Sequence, residues 1–244
     1  MSSAVLRVDD RLENQSSTPS RDDVLARYRH LRKIGKRHHS AVLGFLSPDA
    51  ILVQARRLGL ASGRTIVAES EDELTLAFDL AIYTASAGRS RAIDRYARSA
   101  QFAQGSDEAL MLEAMRNARF AIMAMQERHP AAGLLVTDIF RQVDLWLVDE
   151  GLEQSLPEGA IFAIRYYKPA DFVATAGVCI PLSLDLLEES ALMVPQLGRL
   201  SLAEAAADRR FAEAVYRVAI AEGVMEEVEY RDAGDVPHDP RSRL

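Results

Sequence analysis

The sequence predicts an α+β protein: an N-terminal helical bundle, a small antiparallel β-sheet or barrel at about 132–180, and C-terminal helices packing back on the bundle. Three observations lead there. Serine caps recur just ahead of runs with helical apolar spacing. Short segments rich in Val, Ile, Phe, Tyr and Trp crowd into the stretch after His129-Pro130. The links between them are too short for parallel crossovers, which leaves antiparallel pairing.

Residues 1–19 hold Ser, Asn, Gln and Pro without an apolar period and read as a disordered leader. Ser20 with Asp23 has capping-box spacing and opens a helix at about 21–46. Ser47-Pro48 opens the next, 48–58, with a hydroxyl cap and proline at the first helical position. Ser70 with Glu73 opens 71–86, and Ser201 with Glu204 opens 202–222. Leu, Met and Ala at helical spacing add helices near 90–100 and 107–128, and another is expected at about 183–193. The 107–128 helix is expected to be central to the helical core. Met111, Met115, Ala118, Ile122 and Met125 form one stripe, and Phe120 and Met123 make its second half apolar almost all round.

Four strands follow, within "GLLVTDIF", "DLWLVD", "AIFAIRYY" and "DFVATAGVCI", separated by turn signals such as Pro157-Glu158-Gly159 and Lys168-Pro169-Ala170. In the third, Ile161, Ala163 and Arg165 alternate with Phe162, Ile164 and Tyr166, a period of two that gives each set its own face. "RTIVA", Arg64 to Ala68, reads as a lone further strand. The expected organisation is a leader at 1–19, a helical region at 20–129, a β-module at 130–182, C-terminal helices at 183–230 and a flexible tail at 231–244.

With 244 residues, 48% of them apolar, the chain is long enough for one large or two small domains with a real core. A net charge of −7 argues against general coating of nucleic acid. The N-terminus lacks the apolar centre of a signal peptide, and the uncharged run from Phe172 is too short to span a bilayer. A cytoplasmic protein with no membrane association is expected.

One stretch opposes the overall charge. "RYRHLRKIGKRHH", Arg27 to His39, has six Arg and Lys and no acid, so the rest of the chain sums to −13. On a helix, Tyr28, Leu31, Gly35, His38, Val42 and Phe45 make one apolar stripe, and Arg29, Arg32, Lys33, Lys36 and Arg37 fall opposite. Five cations within roughly 12 Å of helix length repel one another unless something negative lies nearby. Acidic stretches of the same chain (Glu69, Glu71, Asp72 and Glu73, or Glu226, Glu227 and Glu229), another protein subunit, or a phosphate-containing ligand would each serve.

Chemistry-bearing motifs are sparse. There is no HExxH, GxSxG, GxGxxG or P-loop pattern, so no metal and no cofactor is expected. His38 and His39 diverge by about 100° on a helix, and His38 belongs to the apolar stripe, where a hydrogen-bonded core role suits it. The single cysteine, Cys179, sits in a strand context as a small buried hydrophobe. Asp138, Asp144 and Asp149 flank strands, with Arg141 and Arg165 nearby in sequence, and strand-end aspartates commonly serve turns.

The run "LLVTDIFRQVDLWLVDEGLEQSLPEGAIFAIRYY", followed by "TAGVCIPL", resembles the small β-module of uncharacterised conserved bacterial proteins, some of which carry a SEC-C zinc motif. In that module a V-x-D-hydrophobic strand precedes a short strand, a P-x-G turn and an arginine-bearing strand. Val136, Asp138, Gly159 and Arg165 take those positions here. "SEDELTLAFDLAIYTASAGRSRAIDRY" also resembles conserved bacterial proteins of unknown function. The resemblance implies architecture and no activity, because one cysteine cannot build the SEC-C zinc cluster.

The leading expectation is a non-catalytic cytoplasmic interaction or regulatory protein, with a protein partner or a second copy of the chain docking on the β-module. A regulator that contacts phosphate on nucleic acid or an anionic ligand, through Arg29, Arg32, Lys33, Lys36 and Arg37, is the alternative. An enzyme with dispersed active-site residues is the third.

Overall fold

The computed structural model describes residues 19–86 and 88–224, so the expected leader (but for its last residue), Glu226, Glu227 and Glu229, and the C-terminal tail lie outside the described residues. Helix α1, Arg21–Leu43, starts where Ser20 accepts the Asp23 amide. It buries Val24, Leu25, Tyr28, Leu31, Ile34, His38 and Val42 along one side. Helix α2, Pro48–Leu58, is capped by Ser47. The strand expected at 64–68 is one arm of a hairpin, β1 Ala61–Ser62 with β2 Thr65–Ile66. Helices α3, Glu71–Tyr83, α4, Ala92–Ser99, and α5, Asp107–Arg116, complete the N-terminal part.

The helix expected over 107–128 is wrong in its second half. After α5 the chain turns at Asn117 and runs as strand β3, Arg119–Arg128, the central strand of the sheet. Phe120 and Ile122 pack with α2, α3 and the last helix, whereas Ala121, Met123 and Met125 pack with Phe162, Ile164 and Tyr166 on the opposite face. A strand covered on both faces needs no polar alternation, so "FAIMAM" reads as a continuous apolar run of helix formers. The sheet accordingly begins at Arg119 and not near 132.

Strands β4, Leu134–Asp138, β5, Val143–Leu147, β6, Ile161–Tyr167, β7, Ala174–Thr175, and β8, Ile180–Pro181, follow, with helix α6, Glu150–Ser155, between β5 and β6. No helix is expected there from the sequence. The order is β5-β4-β3-β6-β7, with β8 also on β6, and these strands pair antiparallel, apart from a single parallel bridge between Leu147 and Val173. The sheet curls on itself: at the β5 edge, Val148 N–H donates to Val173 O at 2.9 Å and Val173 N–H to Trp146 O at 2.8 Å. Gly133 (φ +80°) lies so close to the Leu147 carbonyl that no side chain fits at this position.

Helix α7, Leu184–Met193, and a 3-10 turn, Pro195–Arg199, lead to α8, Leu202–Ala207, and α9, Arg209–Ala221. The single helix expected over 202–222 is thus broken at Asp208. Its backbone is extended (ψ 127°) and its carboxylate accepts the Arg210 amide, because a short acidic side chain caps a new helix better than it continues an old one. α9 packs on α2, α3 and α7 and brings its first turn to the end of the sheet where β3 begins. No helix among the described residues is long and apolar enough to cross a membrane.

Candidate functional site

The basic face of α1 is largely answered from within the chain. Arg29 Nη2 lies 2.7 Å from Glu150 Oε1, Arg32 Nη1 3.3 Å from Asp149, and Arg37 Nη2 3.2 Å from Glu108. Arg27 clasps Asp107 with two bonds of 2.6 Å, His30 adds a third contact, and together they hold that carboxyl near 2. Arg21 likewise makes two bonds to Glu153, at 2.7 and 3.1 Å. The acids belong to the first turns of α5 and α6, where carboxylates also meet the positive helix end. They are neither of the acidic stretches the sequence suggested. The Arg29 contact lacks hydrogen-bond geometry and leaves Glu150 Oε1 buried without a hydrogen-bond partner. Lys33 and Lys36 are exposed on the outer side. This face therefore ties α1 to two neighbours.

The convergent cations are elsewhere. A cavity of about 1030 Å³ opens at the end of the sheet, and Arg91, Arg119, Arg141, Arg165, Arg209 and Arg210 line it. Among the described residues, Asp208 is the one carboxylate in that lining. Five elements or their ends supply these side chains: the start of α4, the start of β3, the β4–β5 turn, β6 and the first turn of α9. Three of the arginines adjoin phenylalanines in sequence, as Arg119-Phe120, Phe140-Arg141 and Arg210-Phe211. Those rings pack together: Phe120 to Phe211 at 5.9 Å between centroids and Phe140 to Phe211 at 5.2 Å. An aromatic cluster thus gathers guanidinium groups from three distant parts of the chain.

Apart from Arg119, each arginine is held by a carboxylate behind or beside it. Arg141 Nη1 donates to Asp138 at 2.7 Å and to the Phe120 carbonyl at 3.1 Å. Arg210 grips Asp208 at 2.9 and 2.7 Å, and Arg209 lies 3.7 Å from Glu213. Arg91 holds Asp94 at 2.7 and 2.9 Å and keeps its carboxyl below the usual range. Asp94 and Glu213 are shared with Arg116 and Arg57. Arg119 is exposed and stands directly across from Tyr166 of β6. A guanidinium has five donors in a fixed fork, so one or two bonds to a partner leave others aimed outward.

At the floor, Arg165 forms a buried bidentate pair with Asp79 at 2.6 and 2.9 Å, and Tyr216 donates to the same carboxylate at 2.9 Å. The guanidinium carbon stands 5.0 Å from the centre of the Tyr83 ring and 5.9 Å from that of Phe120. Burial works against the charge on Arg165, and the carboxylate more than restores it. Tyr83 reaches on to His39, Nε2 to hydroxyl at 2.7 Å, and burial lowers the His39 imidazole to about 4.

His38 is the hydrogen-bonded core residue expected, 2.9 Å from both the Tyr96 hydroxyl and the Glu108 carbonyl oxygen. Cys179 is buried, which pushes its thiol up. The three strand-end aspartates serve the fold. Asp138 accepts the Phe140 and Arg141 amides, Asp144 the Thr137 hydroxyl, and Asp149 the Gly151 and Leu152 amides. Val136 is buried in β4, and Gly159 takes φ +78° in the turn before β6. No three His, Cys, Asp or Glu side chains among the described residues are grouped to hold a metal.

These features define an α+β protein with a curled antiparallel sheet and an arginine-lined cleft at the sheet's end. The chain belongs to a family of unknown function (DUF7986), whose model matches residues 22–189. Four of the cleft arginines fall inside that span, and Arg209 and Arg210 of α9 lie beyond it. No curated protein and no solved structure matches the chain.

Proposed function

We propose that this is a non-catalytic regulatory protein of the cytoplasm that binds a small phosphate-bearing anion in the arginine-lined cleft. The observation that carries the reading is the convergence of six arginines on one concavity in a chain of net charge −7. Scattered surface arginines are ordinary; preorganised forks around a cavity of ligand size are what phosphate recognition uses. The site favours binding over turnover. Acid–base chemistry needs a group able to exchange protons near neutrality, and among the described residues the lining carboxylate, Asp208, is engaged by Arg210 while His39 sits near 4 behind Tyr83. The phosphate-contacting role weighed for the basic helix thus moves to the cleft.

Calorimetric titration of the protein with inorganic phosphate and with ATP, at low and at moderate salt, tests the reading. Binding that weakens with salt and is lost only when both sides of the cleft are stripped, in Arg119→Ala combined with Arg210→Ala, is expected. No heat with either anion at low salt ends it. Labelled DNA and RNA titrated at two salt concentrations address the polymeric alternative, for which the slope with salt is steep.

A further inference from the structure

Resting on that reading, we infer that the cleft takes a ligand with at least two anionic groups, one held on each side of the sheet's end. The register carries this. Arg119 pairs with Tyr166 across β3 and β6, and Phe120 pairs with Arg165. Directly opposed residues share a face and successive residues alternate. Arg119 and Tyr166 therefore belong to one face, whereas Phe120 and Arg165 belong to the other.

Each face has its own reinforcement. Arg141 reaches round from the β4–β5 turn to the Phe120 carbonyl at 3.1 Å, which brings its guanidinium to the start of β3 beside Arg119. On the helical face, Phe211 packs edge-to-face against Phe120, and Arg209 and Arg210 belong to the same first turn of α9. One cavity is continuous between the two sets. Its volume of about 1030 Å³ is at the upper end of small-molecule sites and far exceeds one phosphate group.

The α9 backbone does not supply the second anion site, because Asp208 already occupies the Arg210 amide. The side chains must. A single phosphate satisfies one set of forks and leaves the other facing water. A molecule that carries a second phosphate engages both, and the second contact is then intramolecular and gains from effective concentration. Organic bisphosphates and diphosphates, nucleoside diphosphates among them, share this chemistry.

The test uses the full chain and matched probes: inorganic phosphate against pyrophosphate, and fructose 6-phosphate against fructose 1,6-bisphosphate, by calorimetry at fixed ionic strength. At least one doubly phosphorylated probe should bind tenfold or more tightly than its partner with one phosphate. Arg209→Ala/Arg210→Ala, with folding checked by circular dichroism, should bring that probe to the affinity of its single-phosphate counterpart and barely change the latter. Arg119→Ala does the same from the opposite side if the double variant does not fold. Equal affinity within both pairs overturns the two-sided inference and leaves anion binding standing. No binding by any of the four removes the cleft reading with it. The comparison on unmodified protein decides the matter even if every variant unfolds.

Discussion

The protein has two arginine-rich regions, and they differ in kind. The outer face of α1 packs six Arg and Lys into thirteen consecutive residues, conspicuous in the sequence, and spends most of them on carboxylates of α5 and α6. The cleft draws six arginines from positions 91 to 210, inconspicuous one by one, and the fold turns them toward a common space. Density along the chain reports how many charges one element must neutralise. Convergence in space reports what a site can hold. Exposed ion pairs of the first kind hold elements together weakly, whereas a buried pair or a concave set of forks is a larger commitment.

That contrast breaks most sharply at Asp79. Asp79→Ala strands the buried Arg165 guanidinium and should cost about 3–5 kcal/mol in urea unfolding, against about 1 kcal/mol or less for Arg37→Ala on α1. Equal costs would erase the distinction between floor and face.

His39 joins the two regions, rooted on α1 and bonded to Tyr83 at the cleft floor. Its folded value near 4 lies below the unfolded value of 6.5, because burial disfavours the charged ring. The folded state thus binds fewer protons than the unfolded one between these values. Stability is full above about pH 6.5 and falls as pH drops toward 4, by about 2 kcal/mol. His39→Gln should flatten that part of the pH–stability curve measured by urea titration. A wild-type curve already flat between pH 7 and 4.5 contradicts the buried, neutral imidazole.

A smaller effect separates the regions by ligand. Arg119→Ala should weaken pyrophosphate binding about tenfold, as expected for one charge-assisted contact, while Arg29→Ala on α1 leaves it unchanged. The smallest expected effect is on the exposed lysines. Lys33→Glu with Lys36→Glu should leave the melting temperature within about 2 °C, as surface substitutions do, and should not alter anion affinity in calorimetry. A lost affinity there would return the site to the basic helix.

The legible parts of the fold are the local ones. Ser20, Ser47, Ser70 and Ser201 each accept an amide three residues on, as their spacing announced, because capping is settled within one turn. The apolar stripe of α1 was equally readable, and His38 with it. Strand β3 was not, since burial on both faces removes the alternation that marks a strand. α6 was missed because two turns or less leave almost no periodicity. Of the cleft, Arg141 and Arg165 stood out beside the strand-end aspartates, yet nothing near Arg91, Arg119, Arg209 or Arg210 marks them as companions. Three arginines beside phenylalanines were the available hint, and it carries weight only once Phe120, Phe140 and Phe211 are known to touch.

By itself, then, the sequence determined where helices start, which side of α1 is buried, that the later segments pair antiparallel, and that chemistry-bearing motifs are few. The tertiary structure alone decided which carboxylates answer the basic face, that the sheet's centre is β3, and that six distant arginines share one cavity. The physical reason is range: caps and stripes are energies within a turn or two, whereas strand pairing, ion-pair choice and concavity depend on contacts between residues as far apart as Arg57 and Glu213, 156 positions.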